Sequence, residues 1–218
     1  MVGRDVPSGK LKTGSFREQA EQAFENVGEV LKAAGMNYSN VVSSRVYLSD
    51  PRDFQTINTV FRRFFKTLPP VRATVGARLA DPEMKIEVQC IAVQNAAVSA
   101  VGEESAAPFS PALKIGDWLL MSGMVGRGPE GYDPGDVRRQ TRQTLENLAK
   151  RLRAAGMGFE DVVDVQVFLA DVRFYSAMNE VYREVMPQLA PARTTAGTPL
   201  MSPEALVEIM MTARKPAE

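Results

Sequence analysis

The chain has 218 residues, of which 44% are hydrophobic and 24% are charged, a composition typical of a globular protein with an apolar core. Its 26 basic residues balance its 26 acidic ones, so no net charge favours nucleic acid or an anionic membrane surface. Histidine is absent, which excludes a Ser-His-Asp triad and removes the usual ligand of zinc and copper.

Three features of the sequence indicate in which cellular compartment the protein is found. No stretch reaches the roughly 18 consecutive apolar residues of a membrane helix, and residues 1–12 lack the apolar core of a signal peptide. The single cysteine, Cys90, excludes an internal disulfide, which fits a reducing compartment. We therefore expect a cytoplasmic protein that binds neither membrane nor nucleic acid and needs no metal or other cofactor.

The first elements along the chain are two helices with a strand between them. Residues 15–35 carry apolar side chains at helical spacing, open with Ser15 and Glu18 as a capping box, and stop at Gly35. Residues 41–50 alternate between apolar and other side chains, which predicts a strand. The second helix follows, and its expected buried stripe consists of Phe54, Ile57, Phe61 and Phe64 or Phe65.

Two further strands are expected at residues 71–79 and 85–93, which are short and rich in β-branched residues. In the second of them Ile86 and Val88 share one face, and Glu87 points to the other. If the two helices cover the Ile86 face, Glu87 faces solvent, another domain or a site.

A small, polar stretch at residues 94–107 has no periodicity and is predicted to be a linker. Residues 109–123 then predict two strands around a Gly-Asp turn. The first part of the chain has no equivalent of this hairpin. Either the first copy lacks it or the chain starts inside a longer gene product.

The chain repeats itself at an offset of 121 residues. The AAGM sequence at 33–36 returns at 154–157, and single residues match in the same register without a gap. This is a tandem duplication of one unit. We place one unit at 1–93, the linker at 94–107 and a second, complete unit at 108–218. The matched polar pairs are Asn58 and Asn179, Arg72 and Arg193, and Glu87 and Glu208.

Six short sequences, most of them present twice, carry a resemblance when taken in order. They are SPA…GD…LLMSG, LRAAGM, VQVFLAD, NEVYREVM, PART and ALVEI. Together they resemble the reactive intermediate deaminase family, also called RidA or YjgF-like. The resemblance implies an α+β fold of two chorismate-mutase-like units, each a mixed β-sheet with two helices on one face. It also implies that three units pack sheet to sheet around a threefold axis. Three chains are then the smallest closed set, a homotrimer.

The resemblance further implies an activity, the hydrolysis of small enamine and imine carboxylates such as 2-aminoacrylate to 2-oxo acids and ammonia. The family arginine that binds the substrate carboxylate is matched by Arg72 and Arg193. A guanidinium suits that role because its planar fork meets a carboxylate through two parallel bonds. Glu87 and Glu208 match the family glutamate that orients the attacking water and takes its proton.

Other positions match the family pocket one at a time. Asn58 and Asn179 match a pocket asparagine, and Ser122 matches a pocket serine. Two positions depart from the pattern: Thr74 and Thr195 replace a common cysteine, and Phe109 replaces a pocket tyrosine. If each cleft takes its arginine and glutamate from one unit and its other walls from a neighbour, half of the clefts are incomplete.

Alternatives remain open at this point. The arginines can be read as partners of interface carboxylates, and the glutamates as exposed strand residues or as partners of the arginines. For the whole protein, the alternatives are a non-catalytic binder of small carboxylates, a deaminase dedicated to one pathway, such as one acting on an aminomuconate-like intermediate, and a ribonuclease. The neutral charge and the lack of a basic stripe count against the ribonuclease.

Overall fold

A computed structural model describes residues 1–5, 7–12, 14–102, 106–186 and 191–215. The elements of the first unit are α1 (Phe16–Ala33), β1 (Val41–Leu48), α2 (Phe54–Phe64), β2 (Val71–Gly76) and β3 (Ile86–Ala92). The three strands form one sheet with the order β2-β1-β3. Strand β1 runs parallel to β2 and antiparallel to β3.

Helix α1 begins as its sequence predicts. The Ser15 side chain accepts a hydrogen bond from the backbone N–H of Glu18, and the Glu18 carboxylate accepts one from the backbone N–H of Ser15. A cap of this kind is worth about 1 kcal/mol because it satisfies N–H groups that have no partner within the helix. The helix ends before Gly35, whose φ of 70° suits glycine.

The core of the first unit lies between its helices and one face of its sheet. Ile86 and Val88 pack there with Phe24 and Phe61, so the predicted helix-covered face of β3 is confirmed. Glu87 lies on the opposite face, as expected, and its backbone pairs with Val2. Of the predicted α2 stripe, three side chains are buried and two are partly buried; the buried ones are Ile57, Phe61 and Phe65.

The second unit repeats this plan with a wider sheet, in the order β11-β10-β12-β6-β5-β4, while β7 pairs with β12. The predicted Gly-Asp hairpin is confirmed as β5 and β6. A small ribbon of two short strands lies outside the main sheet. The elements are β4 (Val98–Ala100), β5 (Ala112–Ile115), β6 (Trp118–Met121), β7 (Met124–Val125), β8 (Arg127–Gly128), β9 (Gly131–Tyr132), α3 (Val137–Ala154), β10 (Val162–Leu169), α4 (Tyr175–Val185), β11 (Ala192–Gly197) and β12 (Val207–Arg214).

The segment predicted as a linker contains an element that its composition does not reveal. Strand β4 lies within residues 94–107 and pairs antiparallel with β5 at the edge of the second sheet. A sheet edge exposes unpaired backbone N–H and C=O groups, so a short polar segment can join it without an apolar pattern of its own. The linker residues 103–105 lie outside the described part of the chain.

The two units contact each other face to face and along one edge. Val71 and Ala73 of the first sheet pack with Leu113 and Met210 of the second. Along the edge of β2, the Gly76 N–H donates to the Pro199 carbonyl at 2.8 Å. All six residues of β2 are buried as a result, whereas none of the six residues of β11, its counterpart, is buried.

Within the described residues, no helix is both long enough and apolar enough to cross a membrane.

Candidate active site

Strand β2 presents Arg72 to a cavity between the two units. Val71 and Ala73 point into the core between the sheets, so the alternation of the strand turns Arg72 and Thr74 the other way. The Arg72 backbone is held by the second unit: its N–H donates to Ser122 Oγ at 2.8 Å, and its carbonyl accepts from the Gly123 N–H at 3.1 Å.

The Arg72 side chain is buried among aromatic rings. Its guanidinium carbon lies 4.8 Å from the Phe61 ring centre, 4.7 Å from that of Phe109 and 5.6 Å from that of Phe54. Asn58 Oδ1 accepts a hydrogen bond from Nη2 at 2.5 Å, but Nε and Nη1 have no partner. Burial lowers the pKa of Arg72 to about 9, which leaves it charged at neutral pH and ready to bind an anion.

The carboxyl group opposite comes from the second unit. Glu208 lies on β12, paired with Val125 of β7, and is 7% exposed. Burial raises the pKa of Glu208 to about 7, and the positive charge of Arg72 opposes that rise. Such a carboxyl can hold or release a proton near neutral pH, which suits a general base.

Arg72 and Glu208 line one cavity of about 190 Å³. The guanidinium bonds to Asn58 and has two free nitrogens, so it is not paired directly with Glu208. This distinguishes the arrangement from a plain interface ion pair. The remaining lining residues are Phe54, Thr74, Phe109, Gly123, Val125, Tyr132, Met201 and Ser202.

The arginine and the glutamate of this cavity belong to different units, contrary to the arrangement considered from the sequence. Within one unit the two residues lie on strands that flank the central one: Arg72 is opposite Ser44, and Glu87 is opposite Tyr47. Two strand spacings and three residues of offset place their backbones roughly 14 Å apart. The two side chains also leave opposite faces of the sheet, because Arg72 packs against Phe61 of α2 and Glu87 lies on the face away from the helices. They therefore do not face one site.

The second set of matched residues lies elsewhere. Arg193 Nη2 donates to Asn179 Oδ1 at 2.8 Å, and the guanidinium carbon is 4.4 Å from the centre of the Tyr182 ring. Arg193 and Thr195 are half-buried on β11, whose edge is open. Glu87 is half-buried on the face of the first sheet opposite its helices, and it does not line the cavity.

The residues predicted from the sequence contribute to the cavity in different ways. Phe109 and Thr74 line it, and Asn58 accepts a hydrogen bond from the Arg72 guanidinium. The Ser122 hydroxyl is used by two buried hydrogen bonds, since it accepts from Arg72 N–H and donates to the Ser110 carbonyl at 2.6 Å. Sequence reasoning missed five lining residues from connecting segments and short strands: Gly123, Val125, Tyr132, Met201 and Ser202. Only Gly123 had a signal, its place in the MSG sequence next to Ser122.

Gly123 carries a testable requirement. A Cβ built there would overlap Oε1 of Glu208. We expect Gly123→Ala to displace the carboxylate and lower kcat/KM at least about tenfold, because small errors in the position of catalytic groups are costly. Gly128→Ala is the matched control, since its Cβ would meet the flexible end of Gln143, and the nearest backbone atom, the Gly131 carbonyl oxygen, is at an ordinary contact distance of 3.8 Å. Equal activity of the two variants in a steady-state assay would contradict the assignment.

Comparison with known proteins identifies the fold. A family model described as endoribonuclease L-PSP matches the chain twice, over residues 1–94 and 100–215. The chain belongs to the endoribonuclease L-PSP family. It carries two L-PSP units in tandem, as the repeat predicts, and the family resemblance and α+β fold expected from the sequence are confirmed.

Relatives of this L-PSP protein include named enzymes. The chain is 39% identical over 94 residues to 2-iminobutanoate/2-iminopropanoate deaminase of Homo sapiens, covering 43% of this chain and 69% of that protein. It is 42% identical over 105 residues to the mitochondrial protein mmf2 of Schizosaccharomyces pombe, covering 47% and 83%. The crystal structure of YyfA, a Rid family protein from Yersinia pestis, is 28% identical, with a TM-score of 0.52, and covers 55% of this chain and 100% of that one.

Proposed function

We propose that the protein hydrolyses imines and enamines of 2-amino acids to 2-oxo acids and ammonia in the cavity between its units. The observation that carries the proposal is that Arg72 and Glu208, a buried cation with free donors and a buried carboxyl, face one small cavity. The imine deaminase activity in the name of the human relative, at 39% identity, supports it.

The proposed chemistry needs only these side chains and water. Arg72 binds the substrate carboxylate, while Asn58 holds the guanidinium in place. Ionised Glu208 orients a water and accepts its proton as the water oxygen attacks the imine carbon and the C=N electrons move to nitrogen; Glu208 then passes that proton to the nitrogen, which gives a neutral carbinolamine. The carbinolamine loses ammonia when its O–H proton moves to the nitrogen through Glu208, the C–N bond breaks with its electrons going to nitrogen, and the oxygen forms the carbonyl. An enamine first takes a proton from water on its β-carbon and loses one from nitrogen to become the imine.

The apolar walls have a role in this proposal. Phe54 and Phe109 flank the guanidinium and limit the entry of bulk water, which strengthens the attraction between Arg72 and the carboxylate. Phe109 cannot supply a hydroxyl, but three other lining residues carry one: Thr74, Tyr132 and Ser202. Substrates therefore include small 2-imino acids such as 2-iminobutanoate.

The direct test supplies the imine as it forms. A dehydratase acting on threonine or serine generates 2-iminobutanoate or 2-aminoacrylate in the assay, and the release of 2-oxo acid is followed with and without the protein. We expect faster release with the wild-type protein and background release with Arg72→Met. Binding of 2-oxobutanoate without any acceleration would instead favour the non-catalytic carboxylate binder.

Location and assembly are further parts of the proposal. A cytoplasmic location is proposed from the sequence, although a relative carries a mitochondrial name. The open edge of β11 carries Arg193, and Glu87 of another chain offers a carboxylate that can pair with it at an interface between chains. Chains that associate through this edge would bury that ion pair, and a homotrimer is the size proposed.

We therefore expect sedimentation to give a mass well above the 23.9 kDa of one chain, close to three times that value. Arg193→Glu should weaken the association, because it places an acidic group opposite the proposed carboxylate. A stable monomer across a tenfold range of concentration would contradict the proposed assembly and leave the cavity within one chain as the proposed site.

A further inference from the structure

Thr74, like Arg72, brings to the cavity a buried polar side-chain atom that has no hydrogen-bond partner. It is 5% exposed, and its hydroxyl makes no hydrogen bond. Among the described residues, four buried side-chain nitrogen and oxygen atoms lack a partner, and three of them belong to Arg72 and Thr74; the fourth is the Tyr182 hydroxyl. The unsatisfied groups are therefore concentrated at this one cavity.

The arrangement follows from the strand. Arg72 and Thr74 are two residues apart on β2, so their side chains leave the same face, and both line the cavity. A buried hydroxyl without a partner destabilises a fold, and native proteins keep few of them. A ligand that accepts a hydrogen bond at this position would remove that cost.

We infer that the Thr74 hydroxyl donates a hydrogen bond to the carboxylate that Arg72 binds, and that Thr74 is a specificity-determining binding residue. The inference rests on the proposed function for the class of ligand, a 2-imino or 2-oxo carboxylate. A carboxylate has about four lone-pair positions, more than the free nitrogens of Arg72 use, so it can accept from a hydroxyl as well. A neutral ligand gains less from the same hydroxyl, because bonds to charged groups are the stronger ones.

The repeat provides a matched control on the same chain. Thr195 occupies the same position on β11 as Thr74 on β2, at the offset of 121 residues. It is half-buried on the open edge and does not line the cavity. The same substitution at the two threonines therefore separates loss of a ligand contact from general effects of changing a strand residue.

The experiment compares Thr74→Val, Thr74→Ser and Thr195→Val with the wild-type protein. Calorimetric titration with 2-oxobutanoate and with the neutral 2-oxobutanamide measures binding, thermal unfolding measures stability, and steady-state assays measure kcat and KM. We expect Thr74→Val to weaken 2-oxobutanoate binding about tenfold and to raise KM with little change in kcat. The ratio of the affinity for 2-oxobutanoate to the affinity for 2-oxobutanamide should fall. Its melting temperature should be unchanged or higher, because the substitution removes an unsatisfied hydroxyl. Thr74→Ser should bind as the wild type does, and so should Thr195→Val.

Several results would overturn the inference. They are wild-type affinity in Thr74→Val, an equal loss in Thr195→Val, a lower melting temperature or unfolding of Thr74→Val, and no binding of 2-oxobutanoate to the wild-type protein. If 2-oxobutanoate binds in a Thr74-dependent way but imines are not hydrolysed faster, the proposed function fails and the binding role of Thr74 stands.

Discussion

Arg72→Met lowers kcat/KM for 2-iminobutanoate about 10²–10⁴-fold, whereas Arg193→Met lowers it at most about twofold. The large effect is expected because truncating one member of a buried, charge-assisted contact costs about 3–5 kcal/mol. The small effect is expected because Arg193 lies on the open edge of β11, outside the cavity that holds Glu208. Steady-state kinetics on the two single variants measures both effects.

Stability measurements on the same two variants provide the control. Arg72 is 2% exposed with two unpaired nitrogens, and Met is an apolar side chain of similar length, so the free energy of unfolding should stay the same or rise. A loss of activity that accompanies unfolding would show a structural role for Arg72. Equal losses of activity in the two variants would show that the two units contribute equal sites.

Glu208→Gln abolishes the ionisation on which the proposed water activation depends, and we expect kcat/KM to fall about 10²–10⁴-fold. In the wild-type protein, kcat/KM should rise with pH through about 7, because the base acts only when ionised and burial raises the pKa of Glu208 to about 7. Glu87→Gln is the matched control and should keep both the rate and the pH profile. A wild-type profile that is flat between pH 5 and 9 would rule out Glu208 as the base.

The same carboxyl should make stability depend on pH. Its pKa of about 7 in the folded protein lies above the ordinary 4.5, so the unfolded chain releases this proton at lower pH than the folded chain does. The folded state is therefore destabilised as pH rises from about 4.5 to about 7, by about 3 kcal/mol in all. Glu208→Gln should lack this contribution. Urea unfolding at pH 5 and pH 8 measures the free energy of unfolding of the wild-type protein and of Glu208→Gln. The same change in this free energy between the two pH values in both proteins would contradict the prediction.

These two residues combine a cost to the fold with a gain for the proposed chemistry. A buried carboxyl and a buried guanidinium that do not pair directly are both poorly solvated, and the cavity between them is where a ligand can satisfy them. We therefore expect substitutions of either residue by an uncharged side chain to make the protein more stable and less active.

Local sequence patterns account for the elements of each unit. The capping box at Ser15 and the alternation around Glu87 were readable because helix caps and strand faces depend on neighbours within a few residues. The duplication was equally readable, because it is a property of the sequence alone. Strand β4 was not, since it forms only because the edge of β5 lies beside it.

Which glutamate shares a cavity with each arginine could not be predicted from the sequence. In the sequence Arg72 and Arg193 are equivalent, and each is followed fifteen residues later by a glutamate of its own unit. The strand order places that glutamate two strands away from its arginine, and packing of the second unit against β2 brings Glu208 to Arg72 instead. Nothing in either repeat encodes this pairing, because it arises from contacts between the two units, such as the hydrogen bond from the Arg72 N–H to Ser122. Periodicity therefore decides which side chains share a face, and the packing of one sheet on another decides which of those faces meet.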